Sequence, residues 1–192
     1  GGANVMMKAR ELGVTVDEKS AQTRAILARI KKLEKDGYEF EAADASFELL
    51  LRAEIAGAKL HFFTVDEWST TVDKSADGAV TSRASVKITA RGKSYEATGS
   101  GNGPVNAIDR ALRTGLESIY PELAILELTD YKVRILEGRL GTGAVTRVLV
   151  QTSDGKAEWT TLGVHENVIA ASEMALEDAV TYGLLRQGIK PE

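Results

Sequence analysis

Few residues in this 192-residue chain could carry out acid–base, nucleophilic or metal chemistry. Its histidines are His61, in a strand pattern, and His165, just before a predicted helix, and no carboxylate pair stands at metal-ligand spacing from either. Ser100, in the run GSGNG, lacks the flanking residues of a nucleophile elbow. The absence of cysteine excludes disulfides, thiolate metal ligands and a cysteine nucleophile. We therefore expect no catalytic residue and no metal site in this chain, which by itself does not look like an enzyme.

The glycine-rich stretch GSGNGPVNAIDRALRTGL, residues 99–116, predicts the end of a strand followed by an amphipathic helix. Pro104 suits the first helical position, with Gly103 or Asn102 just ahead of it as a cap. The three glycines before Pro104 are spaced two apart, which does not match the dinucleotide-binding fingerprint. The stretch therefore predicts a strand-to-helix turn rather than a nucleotide site.

The same pattern occurs twice in the chain. An offset of 64 residues aligns the second copy with the first without a gap, so that Tyr95 matches Trp159 and Gly99 matches Gly163. Two copies are too few for a solenoid. We expect two like units that pack on each other, within the chain or across a dimer.

The periodicity of the apolar residues changes along the chain. Residues 1–57 predict a subdomain of three helices, with Asp17 and Asp44 as caps of the second and third. From residue 58 the period is two, and residues 58–120 and 121–192 each predict three strands and one helix. The fold class is therefore α+β, with a helical subdomain followed by two tandem βββα units. One face of each sheet is expected under its own helix, and the other on the twin unit or on a second chain.

Charge and hydropathy exclude several classes of partner. The chain has 28 acidic and 24 basic residues and a net charge of −4, and no Lys and Arg cluster interleaves with aromatics, so nucleic acid is not an expected partner. No apolar run approaches the roughly 18 residues of a membrane span. No signal peptide opens the chain. The cytoplasm is the expected compartment, and no membrane partner is expected.

Five segments of the chain carry a resemblance to a known family in the same order and at the same spacing: KARELGV, GYEFEAADASFELLLR, GNGPVNAIDRAL, LTDYKVRILEGRLGTGAVTRVLV and WTTLGVHENVIAASEMAL. Over essentially its whole length the chain resembles the C-terminal linker and regulatory (allosteric, dimerisation) region of the 2-isopropylmalate synthase and citramalate synthase family. EAADASFELLLR, YPEL and WTTLGVHENVIAAS look closer to citramalate synthase.

This resemblance implies a linker at residues 1–57 and a regulatory domain of two βββα units at residues 58–192. Such domains form homodimers and bind the end-product amino acid for feedback inhibition, commonly isoleucine in citramalate synthases and leucine in isopropylmalate synthases. The parent chain would be an acyltransferase of branched-chain amino acid biosynthesis that condenses acetyl-CoA with a 2-oxo acid. Its catalytic TIM barrel would hold a divalent metal, and the fragment itself would need no cofactor.

The resemblance also places an effector site where the two copies differ. The second copy has a loop with three glycines at residues 137–144, and leucines beside it would form an apolar cup for the side chain of the effector. The N–H groups at the start of the second repeat helix would bind its α-carboxylate. The predicted effector-binding residues are Leu136, Leu140, Gly141, Thr142, Gly143, Ala144, His165 and Asn167. The alternative is a purely structural dimerisation module without an effector site, in which the loop is only a hairpin tip.

Overall fold

The computed structural model describes residues 2–11, 13, 17, 20–137 and 144–192. In this part of the chain the helices are α1 (Gly2–Glu11), α2 (Ala21–Lys35), α3 (Asp44–Ala56), α4 (Pro104–Leu116) and α5 (Val168–Arg186). The strands are β1 (Thr64–Lys74), β2 (Val80–Ala90), β3 (Lys93–Gly101), β4 (Glu127–Leu136), β5 (Val145–Ser153) and β6 (Glu158–His165). Two short 3₁₀ helices cover Phe40–Ala42 and Pro121–Ile125.

The starts of α2 and α3 differ from the predicted caps. Ser20 is the N-cap of α2, and its hydroxyl accepts from the Thr23 N–H at 3.1 Å, so the prediction of Asp17 as the cap was wrong. Asp44 is the first helical residue of α3 rather than its cap. Its carboxylate accepts from the Thr160 N–H of β6 at 3.2 Å, so it links the start of α3 to the second sheet.

The first βββα unit places α4 on one face of an antiparallel sheet with the strand order β1-β2-β3. Along β2, buried residues alternate with exposed ones, as expected for a strand with one face in water. Gly103 is the extended N-cap of α4 and Pro104 is its first residue, as the sequence predicts. The core between β2 and α4 is formed by Ala84, Val86, Ile88, Ala107, Ile108, Ala111, Leu112 and Leu116.

The second unit repeats this arrangement, with the strand order β4-β5-β6 and α5 as its helix. The first residue of α5, Val168, follows Pro104 by the predicted offset of 64 residues. Thr161 donates its hydroxyl to the Ala175 carbonyl of α5 at 2.7 Å, which fixes the helix on this face of β6. The α+β class with two tandem βββα units is thus confirmed.

The other face of the second sheet is covered by the N-terminal helices. Leu162 and Val164 of β6 join one hydrophobic core with residues of α1, α2 and α3, which include Val5, Ala9, Ile26, Ile30, Phe47 and Leu51. The expectation that this face packs on the twin unit or on a second chain was therefore wrong. Strand alternation shows that a face is buried, but the element that buries it depends on the tertiary structure.

The other face of the first sheet is polar and exposed. Its cross-strand rows run from β1 through β2 to β3 and comprise Glu67, Lys87 and Glu96, then Ser69, Ser85 and Thr98, then Thr71, Arg83 and Ser100. Lys87 lies between two carboxylates, 3.0 Å from Glu67 and 3.8 Å from Glu96. A face of this composition is stable in water and needs no covering unit, so packing of this face on a second chain stays a prediction.

The chain divides into two compact units. The first comprises Gly1–Leu60, Asp130–Gln151 and Trp159–Tyr182, and the second comprises His61–Thr129, Thr152–Glu158 and Gly183–Glu192. The predicted boundary at residue 57 stays a prediction, since packing contacts do not say which segment folds by itself. None of the helices in the described part of the chain is long and apolar enough to cross a membrane.

Candidate functional site

His61 and Ser100, whose side chains are of types that can do chemistry, lie in ordinary structural positions. His61 precedes β1, where its Nδ1 lies 3.1 Å from a carboxylate oxygen of Glu192 and its Nε2 lies 2.6 Å from the Thr64 hydroxyl. Ser100 lies in β3, and its carbonyl accepts from Arg110 at 2.8 Å. Within the described residues, no group of three or more His, Cys, Asp or Glu side chains could hold a metal ion.

Asn167 occupies the N-terminal end of α5, where the sequence predicts the carboxylate of the effector. Its side-chain oxygen accepts from the N–H groups of Ile169 at 2.9 Å and Ala170 at 3.0 Å. The Asn167 N–H in turn donates to Nδ1 of His165 at 2.9 Å. Both side chains are exposed. Two of the N–H groups at the start of α5 therefore already have an acceptor within the chain.

Leu136 packs on the face of the second sheet that is opposite to α5. Gly37 has a φ of +110°, and a Cβ built on it would lie 3.0 Å from Cδ1 of Leu136 and 3.2 Å from Cγ1 of Val164. Val164 belongs to the core with the N-terminal helices, whereas α5 lies on the Thr161 side of β6. The structure therefore does not bring Leu136 to the face on which α5 begins.

The remaining predicted effector residues follow Leu136 in the chain. Leu140, Gly141, Thr142 and Gly143 lie outside the described residues. Ala144 is exposed and immediately precedes β5. The assignment of these residues to an effector site stays a prediction.

A strip of exposed apolar residues, which the sequence analysis missed, lies at the edge strand β4. Ile135 is 70% exposed and Val133 is 43% exposed. Both share a strand face with Tyr131, whose hydroxyl lies 2.9 Å from that of Ser172 in α5. Val168, the first residue of α5, is 40% exposed. The signal in the sequence was the alternation of these apolar residues with Lys132 and Arg134.

Comparison with known families identifies the fold. The LeuA allosteric (dimerisation) domain matches residues 41–184, about three quarters of the chain. This chain belongs to the LeuA allosteric (dimerisation) domain family. The match includes α3, the first βββα unit and the second unit except for the last two residues of α5.

The relatives of this LeuA allosteric domain are longer proteins, and the chain matches one part of each. It is 54% identical to the (R)-citramalate synthase of Streptomyces coelicolor over 100% of this chain and 36% of that protein. It is 43% identical to the (R)-citramalate synthase of Aquifex aeolicus over 97% of this chain and 35% of that protein. The 2-isopropylmalate synthase of Aquifex aeolicus is 33% identical over 54% of this chain and 18% of that protein. The chain thus spans about a third of the length of the citramalate synthases it matches.

Proposed function

We propose that this chain is the regulatory and dimerisation region of a citramalate synthase-type acyltransferase, and that it binds a branched-chain amino acid for feedback inhibition. The observation that carries the proposal is the identity of 54% to a citramalate synthase over the whole chain. The match to the allosteric domain family over residues 41–184 supports it. Condensation of acetyl-CoA with a 2-oxo acid, and the divalent metal it uses, are assigned to the catalytic part of the parent chain. The cytoplasm remains the expected compartment.

The expected partner is a second copy of the chain. The apolar strip of Val133, Ile135 and Val168 supports an interface at the edge of the second sheet, because an edge strand offers free backbone groups beside apolar side chains. The polar rows of the first sheet do not suit such an interface, since their charged and hydroxyl groups would lose water. Sedimentation of the chain at micromolar concentration tests this: a dimer is expected, and a species of only 20.6 kDa would contradict it.

The expected effector is isoleucine, with leucine next. Isoleucine would bind the native state and not the unfolded chain. At a hundredfold excess over its dissociation constant, it would therefore raise the free energy of unfolding by about 2.7 kcal/mol. Calorimetric titration with isoleucine, leucine and valine measures the preference. Gly143→Val is expected to abolish the rise in melting temperature, because the added side chain would fill the predicted pocket. A full isoleucine-induced rise in this variant would place the effector elsewhere.

A second candidate function is a dimerisation module without an effector site. The capping of α5 by Asn167 favours it, because the Ile169 and Ala170 N–H groups already have an acceptor. One measurement distinguishes the two candidate functions. A dimer whose melting temperature does not change with any branched-chain amino acid at millimolar concentration would support the structural module.

A further inference from the structure

A cavity of about 490 Å³ lies within the first compact unit, away from the predicted effector residues. Side chains of α2, α3, α5 and β6 line it, together with residues 57–60. Much of its wall is apolar and includes Leu33, Leu49, Leu50, Leu162 and Met174. The size and the concave apolar wall are typical of a site for a small organic molecule.

The polar part of the wall carries an excess of carboxylates. Asp178, Glu177 and Glu54 line the cavity, with Arg29 and Lys59 as the cations. Arg29 lies 3.9 Å from Glu54, so the charges of these two side chains offset each other. Asp178 and Glu177 are then left with Lys59 as the cation of the wall. Lys59 is exposed, so water screens its charge and the excess of negative charge remains.

Asp178 is held in place by α3. Its Oδ2 accepts from the Ser46 hydroxyl at 2.8 Å, and Ser46 itself accepts from the Leu162 N–H at 2.9 Å. Among the described residues, Oδ1 of Asp178 accepts no hydrogen bond. Burial raises the pKa of Asp178 to about 6, against the opposing effects of the Ser46 hydrogen bond and the Lys59 charge. Asp178 is therefore a partly buried carboxylate with one oxygen available to a ligand.

One oxygen of a second carboxyl group beside the cavity lacks a hydrogen-bond partner. Glu173 is 6% exposed, and its Oε1 has no hydrogen-bond partner in the described part of the chain. Burial, followed by a hydrogen bond with Glu177, raises the pKa of Glu173 well above the usual range. The Lys59 charge opposes these effects without cancelling them, so Glu173 stays protonated at neutral pH.

We propose that this cavity binds a small aliphatic primary amine, with Asp178 as the counterion of its ammonium group and Leu49, Leu50 and Leu162 around its aliphatic part. An ammonium group there would donate to the free Oδ1 and offset the excess of negative charge. The amine can be a simple alkylammonium or the amino end of a free amino acid, whose carboxylate would face Arg29 or Lys59 at the rim. This proposal goes beyond the proposed function, because none of the predicted effector residues lines the cavity.

Calorimetric titration with 3-methylbutylammonium at a pH above the pKa of Asp178 tests the proposal. The unsubstituted chain is expected to bind this amine with millimolar affinity and not to bind 4-methylpentanoate, which has a similar aliphatic part and the opposite charge. Asp178→Asn keeps an acceptor for Ser46 but removes the charge, and we expect it to weaken amine binding by at least about tenfold. No amine binding by the unsubstituted chain, or equal affinity in Asp178→Asn, would overturn the proposal.

A second variant keeps the test decisive if Asp178→Asn does not fold. Ala53→Trp fills the cavity from α3 and leaves the carboxylate in place, so it is also expected to weaken amine binding by at least about tenfold. Glu117→Gln is the matched control, because Glu117 is an exposed carboxylate at the end of α4, and it is expected to leave the affinity unchanged. Amine binding that is unchanged in Ala53→Trp, or that weakens equally in Glu117→Gln, would overturn the proposal.

Isoleucine and Gly143→Val separate this cavity from the predicted effector site. Amine binding that persists in Gly143→Val but not in Asp178→Asn supports the cavity, whether or not isoleucine binds. Amine binding that is lost in Gly143→Val would assign it to the effector site and overturn the proposal. The proposed regulatory function is judged separately, by whether isoleucine raises the melting temperature of the unsubstituted chain.

Discussion

Gly99 approaches α4 so closely that a Cβ added to it would lie 2.6 Å from the carbonyl oxygen of Ala107. The equivalent residues of the second copy, Gly163 and Ala171, repeat this contact, and a Cβ on Gly163 would overlap the Ala171 carbonyl. The repeat in the sequence is therefore a repeat of one packing contact between a strand and its helix. It requires glycine because of space, not because of a positive φ.

Gly163→Ala is expected to destabilise the chain by about 3 kcal/mol, because the new methyl group meets backbone atoms that cannot move without displacing α5. Urea unfolding measures the change. Gly103→Ala is the control, since a Cβ there would have no atom within 4 Å, and it is expected to cost less, through the loss of a favourable N-cap residue alone. Equal stabilities of the two variants would show that α5 moves away at little cost.

Asp178→Asn is expected to stabilise the chain at pH 8 by up to about 3 kcal/mol, since each pKa unit corresponds to about 1.4 kcal/mol. Burial raises the pKa of Asp178 from 3.8 to about 6, so the folded state binds the proton more tightly than the unfolded state. The cost of ionising it therefore grows between these two values and is complete above them. Below pH 3.8 this cost is absent, so the benefit of the substitution should disappear there.

Unfolding by urea across this pH range checks the prediction for Asp178. Asp77→Asn is a control with the opposite sign, because hydrogen bonds from Ser75 and the Ala79 backbone lower the pKa of Asp77. At neutral pH it should destabilise the chain slightly. An Asp178→Asn variant that is less stable than the unsubstituted chain at pH 8 would contradict the argument from burial.

Ser46→Ala is expected to cost about 1–3 kcal/mol of stability, because it leaves the Leu162 N–H without an acceptor and removes the donor to Asp178. Ser46 is 5% exposed, so water does not replace the lost bonds. Ser69→Ala is the matched control, since the Ser69 hydroxyl is exposed at 2.7 Å from that of Ser85. Denaturant midpoints that fall equally in both variants would argue against a specific role of Ser46.

Ile135→Lys is expected to weaken self-association, because it places a charge in the apolar strip at the edge of the second sheet. Thr71→Lys puts the same charge on the polar face of the first sheet and is expected to leave association unchanged. Sedimentation velocity over a range of concentrations compares the two. A dimer that tolerates Ile135→Lys and dissociates with Thr71→Lys would place the interface on the polar face.

The sequence determined the repeat and the elements within it. The strand-to-helix turn at Gly103 and Pro104, the offset of 64 that brings α5 to begin at Val168, and the alternation along β2 all follow from local spacing. Spacing is enough here because backbone geometry sets the periods of helices and strands. The same local pattern put His165 and Asn167 beside the start of a helix, and in the structure His165 ends β6 while Asn167 caps α5.

The tertiary structure alone decided which surfaces meet. It placed the N-terminal helices on Leu162 and Val164, left the polar face of the first sheet in water, and joined Ser46 to Asp178 across 132 residues of sequence. It also put Leu136 on the face opposite to α5, which the chain order does not reveal. Apolar spacing marks a face for burial, but the hydrophobic effect has no direction, so the partner that covers the face follows only from the packing of the whole chain.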